Sequence, residues 1–493
     1  MQRRSGGGSD PPAPAVSAPA EAAPRRFPPM LPPVSTSDMA PRQAAPRSAI
    51  AGWVLFDWAA QPYFTLINTF VYAPFFASAV AANPVEGQAM WGFATSAAGV
   101  AIAVLSPVLG AIADASGRRK PWIAAFGLLL IIGASLLWLG KPGAPETVAI
   151  VLVAFVIATI GAEFATVFNN SMMPSLVPPE RIGRLSGLGW AVGYVGGMVS
   201  LIFMLGFLVA SPETGRTLIG FSPLFGLDAA AREGDRAAGP LTALWFIVFV
   251  IPLFLFTPDA PARMGMAAAV KAGCTGLKAT LLEVRRHRNV MTFLIANMIY
   301  MDGLVALFAL GGIYAAGVFG WTTIEIGLFG ILLTITGTAG ALIGGRLDDT
   351  LGSKPVILGS IAVLTFSVVT ILLIGRDHVF FVFATTPPAP GDGLFATAPE
   401  QVYLLLGGLI GAAAGPLQAA SRSLLVRLAP QDRIGQFFGL FALSGKVTAF
   451  VGPFLASVVT LALNDQRAGL GVLAFMFLIG ATILSFVRTK ASA

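Results

Sequence analysis

The sequence predicts an all-α membrane protein of twelve transmembrane helices arranged as two pseudosymmetric six-helix bundles. Three observations lead there. Apolar runs of roughly 18 to 30 residues recur along the chain, the length needed to cross about 30 Å of hydrocarbon at 1.5 Å per residue. Of 493 residues 56% are hydrophobic and 11% charged, with a mean hydropathy of +0.79. Soluble domains carry about 25% charged residues, so a water-soluble enzyme is excluded. Finally, short polar motifs recur in the two halves at matching offsets.

Taken in order, residues 1–48 are rich in Pro, Ala, Ser, Gly and Arg without an apolar period. Such a segment buries too little surface to offset its ordering entropy and is expected to be a disordered cytoplasmic tail. It lacks the apolar core of a secretory leader. Twelve apolar runs follow, at about 50–82, 88–113, 121–140, 147–172, 186–210, 240–257, 290–316, 323–345, 355–374, 401–424, 436–462 and 469–487. Backbone groups in lipid must be satisfied within a segment, so each run is read as a helix. This divides the chain into the tail 1–48, an N-terminal bundle 49–257, a basic cytoplasmic linker 258–289 and a C-terminal bundle 290–490.

Orientation follows from the cations. Arg118, Arg119 and Lys120, Arg181 and Arg184, the linker cations Arg263, Lys271, Lys278, Arg285, Arg286 and Arg288, then Arg346 and Lys354, and Arg427 and Arg433 all fall in alternate loops. By the positive-inside bias these loops and both termini face the cytoplasm of an inner or plasma membrane. The formal charge of +7 is thereby explained by topology, and no nucleic-acid partner is assigned.

The repeat is the most informative signal. Pro178-Pro179-Glu180-Arg181-Ile182-Gly183 returns as Pro430-Gln431-Asp432-Arg433-Ile434-Gly435, an offset of 252. The segment Gly110 to Asp114 to Gly117-Arg118-Arg119-Lys120 returns as Gly345 to Asp349 to Gly352-Ser353-Lys354, and Asp114 and Asp349 are offset by 235. A longer outside loop near 376–400 accounts for the difference. Gly110, Gly117 and Gly352 allow close approach and tight turns. Asp114 and Asp349 supply carboxylates able to meet a helix N-terminus or a cation of the other half. The conserved positions of the other loop pair are Glu180, Arg181, Asp432 and Arg433. Arg118 to Lys120 sit at the anionic leaflet, with Arg119 and Lys120 read as topology anchors. Glycines four apart, Gly189, Gly193 and Gly197 and then Gly407, Gly411 and Gly415, form flat stripes suited to close helix packing.

On these residues the chain resembles the major facilitator superfamily, and the resemblance covers residues 50–490. Phe56-Asp57-Trp58-Ala59, Asp302-Gly303, Gln418 to Ser421-Arg422-Ser423, and Ser444-Gly445-Lys446 to Gly452-Pro453 resemble its vacuolar-effluxer branch. Fungal members of that branch are linked to amino-acid export from the vacuole. The resemblance implies the major facilitator fold, a monomer working by alternating access, and a gating role for the loop motif: Gly110, Asp114, Gly117, Arg118, Asp349, Gly352, Lys354, Glu180, Arg181, Asp432 and Arg433.

Ionisable residues inside spans are costly and therefore informative. They are Asp57, Glu163, Asp302, Arg422 and Lys446. Asp57 and Asp302 are read as proton carriers or as partners of a substrate ammonium, against the plainer role of an ion pair fixing helix register. Arg422 suits a substrate carboxylate through its planar fork. Lys446 supplies a second counter-charge. Glu163 is read as structural. Among uncharged candidates Gln61, Asn297 and Gln418 are best placed to line the cavity.

The function these features predict is secondary active transport of a small polar solute, an amino acid or similar zwitterion, by efflux coupled to protons. A lipid translocase or a substrate-sensing receptor on the same scaffold is the alternative. The partners expected are the solute, membrane lipids and protons. Neither enzyme activity nor a metal or cofactor is expected: His287, His378 and Cys274 lie outside the apolar runs. An ATP-driven pump is excluded too, because Ser444-Gly445-Lys446-Val447 lacks the first glycine and final Ser or Thr of a phosphate-cradling loop.

Overall fold

The computed structural model describes residues 44–489 apart from 83, 213, 266, 272–286, 322, 381, 387–392, 446–447, 449–450 and 464, together with Gln2, Gly6 and Gly7. The chain divides into two compact units, Met1–Arg42 and Gln43–Ala493. Most of the expected tail and the middle of the expected linker therefore lie outside the described residues. Arg47 and Ser48 already belong to the first helix, and Arg288 opens the seventh.

Eleven helices among the described residues are long and apolar enough to cross a membrane. They are α1 (Arg47–Val80), α2 (Met90–Ser116), α3 (Lys120–Leu139), α4 (Pro145–Ser175), α5 (Pro179–Leu208), α6 (Glu233–Phe256), α7 (Arg288–Gly312), α8 (Glu325–Leu351), α9 (Ser353–Leu372) and α10 (Ala398–Leu428). The eleventh is the last, α13 (Arg467–Ser485). Between α10 and α13 the single span expected over 436–462 is instead two helices, α11 (Ile434–Ser444) and α12 (Val451–Leu463). Gly445 follows the end of α11. Near the start of α12, Pro453 removes a backbone donor and clashes with the carbonyl four residues back, so the helix cannot run straight through. A two-stranded hairpin, β1 (His378–Val379) and β2 (Phe383–Ala384), decorates the loop between α9 and α10.

Helix ends follow local chemistry. Pro46 precedes α1, Pro121 stands in the first turn of α3, and Thr397 and Glu400 form a capping box at the start of α10. The buried Glu400 carboxylate also accepts from Trp321 Nε1 at 2.9 Å. Gly117 and Gly352, with φ of +85° and +90°, make the sharp turns from α2 into α3 and from α8 into α9. No other residue type adopts that backbone without strain.

Helix α1 is not the regular helix its length suggests. It is α-helical to Pro62 and then π-helical over Tyr63–Phe70. Pro62 has no N–H to give to the carbonyl four residues earlier, that of Trp58. Trp245 Nε1 of α6 donates to this carbonyl instead, at 3.1 Å, and the two indoles stack at 5.7 Å. Pro416 does the same to Ala412 in α10, where Gly340 of α8 lies against the Ala412 carbonyl.

Both glycine stripes find partners. Gly189, Gly193 and Gly197 of α5 lie under Asp57, Gln61 and Thr65 of α1, while Gly407, Gly411 and Gly415 of α10 lie against Phe329, Leu333 and Gly337 of α8. Across the halves, α2 packs on α11, and α5 packs on α8 and α10. Adding a side chain at Gly340 forces the α8 and α10 backbones apart. Gly340→Leu is expected to destabilise the protein by about 1–3 kcal/mol in detergent thermal unfolding. Gly359→Leu, at an open position, should stay within about 0.5 kcal/mol of the parent.

Candidate functional site

The repeat motifs meet crosswise at the end of the bundle that carries the basic loops. The Asp114 carboxylate of α2 accepts from the backbone N–H groups of Gly435 (3.0 Å) and Gln436 (2.9 Å), at the start of α11. The Asp349 carboxylate of α8 accepts from those of Gly183 (2.8 Å) and Arg184 (3.1 Å) in the first turn of α5. The first N–H groups of a helix lack partners within it and carry the positive end of its dipole, so each carboxylate satisfies two of them at once. Gly183 and Gly435 are required by contact: a β-carbon at either would stand 2.7 Å from a carboxylate oxygen. Gly110 is equally tight against Gln436.

The supporting cations differ between the halves. Arg119 is buried and pairs with Asp114, while also donating to the carbonyl of Ala113. Arg118 is exposed and lines a shallow cleft with Lys120, Phe254 and Asp259. Of the basic triplet, then, Arg119 rather than Arg118 completes the cross-half contact. In the C-terminal half Asp348 takes the cation: it pairs with Arg427 and accepts from Ser423, as well as from Ser353 at 2.7 Å. Asp349 is left for the helix end. Lys120 and Lys354 are true mates: each ammonium donates to carbonyls at the C-terminal end of a helix, Lys120 to Phe254 (2.9 Å) and Lys354 to Ser485 (2.7 Å) and Val487 (2.8 Å). Glu180, Arg181 and Asp432 are exposed on single helical turns, and Arg433 reaches the neighbouring Asp432 at 3.6 Å.

Deeper in the bundle, Arg422 of α10 binds three helices of the other half. Its Nη1 pairs with the Asp57 carboxylate of α1 at 3.2 Å and donates to Asn170 Oδ1 of α4 at 3.0 Å. Its Nε donates to Ser186 Oγ at 2.9 Å and its Nη2 to the Ser186 carbonyl at 2.6 Å, both on α5. The guanidinium faces the indoles of Trp53 at 5.2 Å and Trp190 at 5.9 Å. Only 5% of the Arg422 side chain is exposed. Gly189 makes room for this pair, since a β-carbon there would meet both Asp57 and Arg422.

Asn170 and Arg422 are separated by 252 positions, the offset of the repeat. Residues exchanged by a twofold can touch one another only at its axis, so the guanidinium sits on the internal pseudo-twofold. Further along, Gln418 Nε2 donates to Tyr194 Oη of α5 at 2.6 Å, a second polar bridge between halves. Gln61 lies beside Gly193 and Gly197 on the same α1 face as Asp57.

The other candidates lie elsewhere. Asn297 Nδ2 donates to Ser444 Oγ at 3.3 Å. Asp302 is buried on α7 and faces Thr448, beyond the end of α11. Both contacts stay within the C-terminal half. Lys446 lies outside the described residues. Ser186, Asn170, Trp53, Trp190 and Tyr194 complete the central cluster without having been singled out as its members. The offset of 252 identifies Asn170 once it is applied to Arg422, but nothing local marks the other four.

The comparisons agree with this architecture. Residues 80–493 match the family described as "Vacuole effluxer Atg22 like". The chain belongs to that family. An uncharacterized MFS-type transporter of Bacillus subtilis, YxiO, is 24% identical over 89% of this chain and 95% of its own. Autophagy-related protein 22 of Yarrowia lipolytica is 23% identical over 56% of this chain, which spans 45% of that longer relative. The crystal structure of the Major Facilitator Superfamily transporter FucP in the outward conformation superposes with a TM-score of 0.64 at 16% identity, covering 90% of this chain and 99% of that one. A bacterial homologue of the iron transporter ferroportin, in an outward-facing state, gives 0.62 at 14% identity over 90% and 99%. The fold is therefore the major facilitator fold, the protein is a multi-pass integral membrane transporter of the Atg22 family, and it is not an enzyme.

In this family member the crosswise contacts, not the exposed turns, should hold the basic-loop end shut. In a chain with Cys274 replaced by Ser, a Ser106→Cys reporter lies buried against Gly439 between α2 and α11. Asp114→Ala leaves two helix N–H groups and Arg119 unpaired, about 1–3 kcal/mol, and thiol labelling of the reporter is expected to rise about tenfold or more. Glu180→Ala and Asp432→Ala should leave the labelling rate unchanged.

Proposed function

We propose that the chain exports a small zwitterion bearing a carboxylate, an amino acid first among them, by alternating access and in exchange for protons. The observation that carries this reading is the Arg422 guanidinium on the pseudo-twofold, fully engaged by groups of the opposite half. With the basic loops facing the cytoplasm, the arrangement is the state closed toward the cytoplasm of an inner or plasma membrane, with both termini on that side.

Rocking the halves apart at that end removes Asp57, Asn170 and Ser186 from Arg422 together. A buried guanidinium left alone is costly, and the fork geometry that held Asp57 equally fits a solute carboxylate. Asp57, released by the same movement, offers its charge to the solute ammonium. Solute thus replaces an internal ion pair, and the open state is stabilised only when both charges of the zwitterion are present. Trp53 and Trp190 form aromatic walls beside the cation, and the Tyr194 and Gln418 bridge closes over the same central region. Efflux is supported by the family description. A single chain supplies every group of this cycle, which supports a monomer.

Liposomes containing the purified protein and no ATP are expected to show counterflow of labelled amino acids. Arg422→Lys keeps the charge but loses the fork and should lower counterflow at least tenfold while the protein remains folded. Movement of labelled lipid with no solute counterflow would replace this reading with the lipid translocase.

A further inference from the structure

The two intramembrane aspartates have opposite surroundings. Asp57 is ion-paired with Arg422 at 3.2 Å, so it remains ionised while that pair lasts. Asp302 is 3% exposed and has no such partner. Fully buried carboxylates are rare unless paired, because desolvation penalises the charged form alone.

Each element packed against this stretch of α7 is apolar or neutral toward it. Helix α12 places Gly452 on the Asp302 carbonyl and Ala306, and α13 places Met476 and Phe477 on Gly303. Helix α10 sends Ser421 to Tyr300 at 2.7 Å, and α11 sends Ser444 to Asn297. The residue facing the carboxylate itself is Thr448, in the break between α11 and α12. Among the described residues no Lys, Arg or His pairs with Asp302. Lys446, two positions before Thr448, lies outside them.

We propose that Asp302 is the binding site of the coupling proton, while Asp57 serves the solute and Arg422. The proposal rests on the exchange reading above and names the ion site within it. A proton taken up on a carboxylate oxygen removes the buried charge outright, which no residue around Asp302 otherwise does. The neighbouring break is the place where that site can be uncovered, since α11 and α12 are separate bodies: α11 is fixed to the other half through Asp114, and α12 rests on α7. Closer to the basic-loop end on α7, Asn297 is buried with its Oδ1 unpartnered, an acceptor on the proton's route out. Opening at either end would then move α11 relative to Asp302 and deliver the proton to one side at a time.

The test uses the full chain in liposomes carrying an internal pH dye. Asparagine mimics the protonated acid, so folded Asp302→Asn is expected to keep counterflow yet lose pH-gradient-driven accumulation and solute-induced proton movement at least tenfold. Asp302→Glu should restore both. Accumulation at the parental level in Asp302→Asn overturns the assignment, as does dependence of the parent on a sodium gradient in place of protons. Loss of counterflow in a folded Asp302→Asn also overturns it, because the residue would then serve the solute. Absence of counterflow in the parent sinks the transporter reading instead, a separate result.

Discussion

Everything at the closed end depends on one kind of contact, a carboxylate of one half accepting from the exposed backbone N–H groups that begin a helix of the other. Asp114 meets α11 and Asp349 meets α5, each through both oxygens. The contact suits a moving interface. A carboxylate buried without donors and a helix end buried without acceptors are both costly, yet each becomes tolerable in water. Such a bond is strong when the end is dry and inexpensive to break when water enters. A pair of apolar surfaces would lack that conditional character.

The scaffold is symmetric where it moves and asymmetric where it binds. The crosswise contacts obey both repeat offsets, and Lys120 and Lys354 perform the same task in their halves. At the axis the symmetry fails, because Arg422 faces its own mate, Asn170, and only one charge occupies a position that could have held two or none. Two cations there would repel. One arginine, answered by one aspartate from α1, gives the central region a polarity, and polarity suits a solute with distinct ends.

Irregular backbone appears where helices touch that region or border it. Pro62 ends the α-helical part of α1 just beyond Asp57 and Gln61, and Trp245 compensates the carbonyl it frees. Gly445 and Pro453 divide what would be a single span beside Asp302. In lipid such breaks persist only if neighbouring side chains satisfy the released groups. The indole and the glycines of α8 and α5 serve this end, so part of the aromatic and glycine content reflects compensation more than bulk packing.

Much of this was legible in the sequence. Span positions follow from hydropathy, since a helix must satisfy its own backbone in lipid. The crosswise carboxylates follow from the repeat, since only reciprocal motifs recur at fixed offsets. Gly117 and Gly352 declared their turns for the same local reason. Tertiary structure alone decided which cation serves which carboxylate: Arg118 and Arg119 are identical in type and adjacent, and only the geometry of the turn buries one and exposes the other. It also separated Asp57 from Asp302, because pairing depends on which helices face each other, a matter of three-dimensional packing that no property of either aspartate encodes. The division of the eleventh span was written in Gly445 and Pro453, but hydropathy averages over such residues and so conceals them.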